Sequence, residues 1–182
     1  MSKIKSVHSK LPFESSVSTD VNLALTIARN FHHGQTRKAD GSAYINHLRE
    51  VLSLLQNVAK ITDDSILIAG VLHDSLEDTD LTKLEIQQTF GDEVLTLIEQ
   101  VTDNKSKSLI ERRQAVITHL EHASDAVKLI KLADIISNAN ALPDWDEKRL
   151  VSYLTWLDAI ALKCSDASQP LYAKYLTVRA QQ

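Results

Sequence analysis

Apolar residues recur along most of this chain at three- and four-residue spacing, the period of helices with one face turned inward. Val21, Ala24, Leu25, Ala28 and Phe31 form such a stripe behind Thr19 or Asp20, either one a suitable N-cap, and predict a first helix ending near Gly34. Gln35 to Tyr44 is polar, carries Gly41 and reads as a loop, after which His47, Val51, Leu52 and Leu55 mark a second helix. Thr62-Asp63-Asp64 caps a segment, Ile66 to Leu72, that is apolar on every side. A helix with no polar face is buried all round, so this is the expected centre of the molecule, and it is predicted to run straight into His73-Asp74 and Glu77-Asp78.

Thr82-x-x-Glu85 and Ser108-x-x-Glu111 are capping boxes, each opening a further helix, with Gly91 as punctuation between two of them. Ala126 to Leu142 follows behind Ser124 or Asp125, and Pro143 stops it or starts the next helix. Glu147 to Cys164, striped by Leu150, Leu154, Leu157 and Ile160, precedes a last helix from Leu171 to about Arg179 behind Pro170 at a first-turn position. No strand, repeat or low-complexity pattern emerges. The expected fold is all-α, one helical bundle over residues 19–182, with residues 1–18 as a loose lead-in that tucks Leu11 and Phe13 onto the body.

Composition narrows the chemistry. With 43% apolar and 24% charged residues among 182, the chain has material for a packed core and lacks the signature of disorder. Its 4 glycines and 3 prolines leave few sites for tight turns, and Gly34, Gly41, Gly70 and Gly91 are too widely spaced for a Rossmann or Walker A phosphate loop. A net charge of −4 offers no general attraction to nucleic acid or anionic lipid, so any anion site must be a local cluster of bases. One cysteine, Cys164, allows neither an internal disulfide nor a Cys-rich zinc site. The longest apolar run falls far short of a membrane span, and MSKIKSVHSK lacks a signal-peptide core, so a cytoplasmic protein without membrane contact is expected.

Glu77 lies four residues after His73, and Asp78 four after Asp74, so a continuous helix would stack four ionisable groups on one face. Carboxylates beside an apolar helix cost several kcal/mol per ion unless paired or bound to a cation. His47 at the start of the second helix and Asp134, set among Leu129, Ile130, Ile135 and Ile136, would complete a site for one divalent ion. Asn138, one turn after Asp134, is placed to hold a ligand or a water. With two imidazoles and no thiolate, Mn²⁺, Fe²⁺ or Zn²⁺ suits this donor set better than Ca²⁺, Mg²⁺ or a soft metal.

The order His47, His73-Asp74, Asp134 resembles the metal motif of the HD phosphohydrolases. Arg37-Lys38, Gly41, Tyr44-Ile45-Asn46-His47, Leu72-His73-Asp74-x-x-Glu77-Asp78-Thr79, Phe90-Gly91, Val101-Thr102-Asp103 and Lys131-Leu132-Ala133-Asp134 with Asn138 narrow the likeness. It points to the hydrolase domain of the RelA/SpoT homologues and, within them, to the single-domain small alarmone hydrolases, over roughly residues 20–165. The resemblance implies a single-domain HD fold and hydrolysis of the 3′-pyrophosphate of guanosine tetra- or pentaphosphate, with Mn²⁺ as the usual ion. It also implies His47, His73, Asp74 and Asp134 as its ligands and Glu77 and Asp78 as the catalytic acidic pair. The synthetase domain of the long homologues has no room here. A small-molecule nucleotide is the expected partner, and the oligomeric state stays open.

So many phosphates need cations. Arg37 and Lys38 match basic family positions, Arg149 and Tyr153 match an Arg/Tyr pair at the pocket mouth, and Tyr44 either packs beside the base or braces its loop. His32, His33, His119 and His122 read as surface or core histidines. Ala43 and Leu48 stand where the family usually has Pro, Asn140 replaces a common Arg, and Leu109 replaces a common base, with Lys105 and Lys107 as nearby substitutes. Fewer fixed cations would shift the substrate toward adenosine alarmones, the 2′-phosphate of NADPH or nucleoside monophosphates.

Overall fold

The computed structural model describes residues 18–182; the expected lead-in, Leu11 and Phe13 included, lies outside them apart from Ser18. Among the described residues every regular element is helical, as the periodicity predicts. Helix α1 (Thr19–Phe31) is capped by Ser18, one residue earlier than expected: its hydroxyl accepts the Val21 amide at 3.3 Å. Helix α2 (Ile45–Ser53) continues through a π-helical turn (Leu54–Val58). Helix α3 (Asp64–Leu72) opens on Asp63, which accepts the Ser65 and Ile66 amides, and Leu67 to Leu72 are all buried. Fully burying an Ile, Leu or Val side chain stabilises by about 1.5–3 kcal/mol, so α3 sits at the centre, packed by α1, α2, α6 and α8.

Past Leu72 the structure departs from the sequence reading. His73 and Asp74 form a turn, and a separate short helix α4 (Ser75–Asp78) follows. The four ionisable groups therefore do not stack on one helix face. The turn leaves His73 and Asp74 in contact with each other in the interior, while Glu77 and Asp78 meet Lys105.

Both predicted capping boxes are formed, opening α5 (Lys83–Phe90) and α7 (Leu109–Leu120). Gly91, at φ 89°, joins α5 to α6 (Asp92–Val101) in a backbone conformation that side chains disfavour. Helix α8 (Asp125–Asn140) is buried along most of its length and starts at a Ser124 cap. Asp146 caps α9 (Glu147–Lys163), and Ser168 caps α10 (Gln169–Arg179) with Pro170 in its first turn. The loop before α2 is closed by a bridge between Thr36 and Ala43, with Gly41 at φ 70°.

Candidate metal centre

Helices α2 and α8 and the α3–α4 turn each contribute to one buried cluster. His47 lies in the first turn of α2, His73 at the end of α3, Asp74 in the following turn and Asp134 in the middle of α8. The two imidazole Nε2 atoms are 3.3 Å apart. Asp74 Oδ2 lies 3.0 Å from His73 Nε2 and 3.6 Å from His47 Nε2; Asp134 Oδ1 lies 3.6 and 3.5 Å from the same atoms. Donor atoms of His47, His73 and Asp134 all fall within 4.8 Å of one another, and the Asp74 side chain, 19% exposed, lies against both imidazoles.

Hydrogen bonds on the far sides of both rings decide which nitrogen carries the proton. His73 Nδ1 is 2.9 Å from the Gly70 carbonyl, which only accepts, so Nδ1 donates and Nε2 is left with its lone pair. His47 Nδ1 is 2.8 Å from the Ser137 hydroxyl, whose single proton goes to Glu50 Oε2 at 2.7 Å. Ser137 must therefore accept from His47, which again frees Nε2. Two imidazole lone pairs and two carboxylates thus converge with no proton of their own among them. Ligands about 2.1 Å from one ion stand some 3.0–3.4 Å apart, close to the separations here, so the donors fit a divalent cation of the first transition row. Without one, a proton takes its place: burial pushes the His73 pKa down, but the Asp74 and Asp134 carboxylates more than offset that and hold it well above the ordinary histidine value.

The surrounding side chains fix these donors. Lys131 Nζ is 3.2 Å from Asp134 Oδ2, and Asn138 Nδ2 is 2.6 Å from Asp134 Oδ1. Burial opposes the Asp134 charge, yet Lys131 and His73 keep its pKa well below the usual carboxylate range. Tyr44 donates its hydroxyl to Asp74 Oδ2, and burial together with that carboxylate raises the phenol pKa, so it stays protonated and donating. Its ring stacks on the buried His32 at 5.0 Å.

Outside the cluster lies a cleft of about 730 Å³. Arg37, Lys38, Tyr44, Asn138, Arg149 and Tyr153 all line it, together with His47 and Asp78. Tyr153 meets Trp145 edge-on at 5.2 Å, Arg149 lies 4.2 Å over Trp145, and burial pushes the Tyr153 pKa up to about 12. Arg37 is heavily engaged: Nη1 pairs with Glu50 at 3.3 Å and Nη2 donates to the Ser137 carbonyl at 2.7 Å. Glu77 faces an adjoining depression shared with Asp78; Oε2 accepts the Asp103 amide at 3.0 Å, and burial raises its pKa.

Lys105 and Lys107 do not replace the base missing at Leu109. Lys105 is bound to the Glu77 carbonyl at 2.7 Å and to Asp78, and Lys107 lines a different cavity. Leu109 does line the cleft, and the cation one turn on is Arg113. Asn140 donates to Glu50 Oε1 at 2.6 Å. The sequence alone assigned no role to Ser137, Glu50 or the buried Lys131, nor to the stack of His32 on Tyr44. Of these only Lys131 carried a signal, since a lysine three residues before a buried aspartate shares its helix face.

The HD domain family profile matches residues 24–154. The mouse guanosine-3′,5′-bis(diphosphate) 3′-pyrophosphohydrolase MESH1 is 36% identical over 81% of this chain and 86% of its own. Its human counterpart is 40% identical over 73% and 78%. The solved structure of a metazoan orthologue of SpoT that hydrolyses ppGpp superposes with a TM-score of 0.85 at 32% identity, covering 91% of this chain and 96% of that one. With a shared fold, a shared sequence and its donors gathered at one point, the chain belongs to the HD-domain family, among the RelA/SpoT homologues of the MESH1 type.

Proposed function

We propose that the protein hydrolyses the 3′-pyrophosphate of guanosine tetra- or pentaphosphate to GDP or GTP and pyrophosphate, with a divalent cation held by His47, His73, Asp74 and Asp134. The observation that carries this reading is the convergence of the Nε2 atoms of two imidazoles and two carboxylates beside a basic, aromatic cleft. The MESH1 relatives bear the same activity in their names. Mn²⁺ is the ion we propose, with Fe²⁺ and Zn²⁺ suited to the same donors. When bound, it lowers the pKa of water toward neutrality and polarises a phosphoryl oxygen.

The chain's own residues do the rest. Glu77 and Asp78 orient the attacking water and take its proton; burial raises the Glu77 pKa, which makes it a better proton acceptor than an ordinary glutamate. The water oxygen bonds to the phosphorus attached to O3′, the P–O3′ bond breaks, and a proton ends on O3′. Lys105, beside both carboxylates, limits their mutual repulsion. Asn138 holds substrate or water, and Lys38 and Arg149 contact phosphates. Arg37 supplies positive potential at the cleft wall, while Tyr153 and Tyr44 pack against the nucleoside.

The test is the purified protein with Mn²⁺ and guanosine tetraphosphate, products resolved by chromatography. GDP and pyrophosphate in equal amounts are expected. One observation favours a second reading: Leu109 lines the cleft and the Arg37 N–H groups are engaged, which leaves few free cations for a polyphosphate. Silence toward guanosine tetraphosphate, with brisk turnover of adenosine alarmones, NADPH or nucleoside monophosphates, would replace the first reading with that one.

A further inference from the structure

A second cavity, of about 370 Å³, lies between α6, α7 and α8 and shares no lining residue with the cleft. That volume falls at the small end of ligand sites. Its lining mixes the apolar Ala115, Val116, Leu120 and Val127 with the basic Arg112, Lys107 and Lys131.

The charges are unevenly matched. Glu99 on the rim is paired with Lys83 at 2.6 Å, and Lys131 is held by Asp134, with Asp103 also acting on its charge. The Arg112 side chain, by contrast, makes no hydrogen bond or ion pair among the described residues, and its Nε is buried without a partner. A buried donor left unmade is costly, and folded proteins rarely leave one. An arginine fork presents paired donors suited to a phosphate or carboxylate. Lys107 adds a second cation to the lining.

We propose that this cavity is a binding site for a small amphipathic organic anion: a phosphate or carboxylate head on Arg112 and Lys107, and a body of about one ring against Val116, Leu120 and Val127. It shares no lining residue with the substrate cleft, and its test does not read hydrolysis.

The experiment titrates Zn²⁺-loaded, ¹⁵N-labelled protein with phenyl phosphate and, separately, with benzoate, following amide shifts by NMR. Thr102, Val116 and Leu120 report on this cavity; Lys38 and Trp145 report on the cleft. Saturable shifts at the first set are expected for at least one probe, with a dissociation constant of about 1 mM or tighter. Arg112→Gln should weaken that binding at least about tenfold, the scale of one charge-assisted contact, with Arg112→Lys in between. Ala115→Trp, which fills the volume, should abolish it and serves as the second probe should Arg112→Gln fail to fold. Shifts confined to the cleft, no shifts with either probe, or unchanged affinity in the variants would overturn the proposal.

Discussion

Replacing Ser137 with alanine deletes one oxygen whose hydrogen bonds reach, among the expected metal ligands, His47 alone. Ser137 is fully buried, accepts from His47 Nδ1 at 2.8 Å and donates to Glu50 at 2.7 Å. In the variant the Nδ1 proton has no acceptor, and an unsatisfied buried donor costs about 1–3 kcal/mol. The ring escapes by moving that proton to Nε2, where the Asp74 and Asp134 carboxylates receive it. Stability of the metal-free protein is then largely recovered, but the lone pair the cation needs is lost. Metal affinity should fall about 10- to 100-fold, the range for partners behind metal-bound histidines, which is about 1.4–2.8 kcal/mol. Glu50→Gln should lose less, because an amide carbonyl still accepts the Ser137 proton. Competition with a chromophoric Zn²⁺ chelator measures this directly. A folded Ser137→Ala protein whose affinity stays within about threefold of the parent, well short of that range, would refute the tautomer argument.

Three further outcomes follow from the same geometry. His73→Ala should abolish metal retention, read by elemental analysis, and remove the thermal response to metal; in the parent, cation at a hundred times its Kd should add about 2.7 kcal/mol and raise Tm by about 5–10 °C. Gly70→Ala places a Cβ 2.5 Å from Leu55 Cδ1, a buried side chain with little room to give, so chemical denaturation should show a loss of about 1–3 kcal/mol, together with weaker metal binding because Gly70 anchors His73. The base form of Glu77 is its carboxylate and burial raises its pKa, so kcat should climb as pH rises through a value above that of an ordinary glutamate; Glu77→Gln should lose that limb and about 10²–10⁴ in kcat.

Much of the architecture was legible because local chemistry spoke for itself. The capping boxes at Thr82 and Ser108 depend on residues three apart, and the all-apolar run into Leu72 could only be a core helix. Asp134 stood out as a carboxylate in an apolar helix, and the structure brings it together with His47, His73 and Asp74. The break after Leu72 was not legible, since four-residue spacing alone favours a continuous helix; the competing pull is tertiary, with Lys105 and the Asp103 amide drawing Glu77 and Asp78 the other way. Ser137 and Glu50 were invisible for a similar reason. A buried serine in α8 and an acid in α2 look ordinary until the fold places them around one imidazole.

The anchoring of Arg37 ties the cleft to the metal centre. The arginine at the cleft wall rests on Glu50 and on the backbone of Ser137, the same two residues that orient His47. Glu50 is thus the hinge of the pair: its loss would loosen the arginine and the imidazole at once, whereas a substitution at Ser137 keeps the carbonyl that Arg37 uses and releases His47 alone.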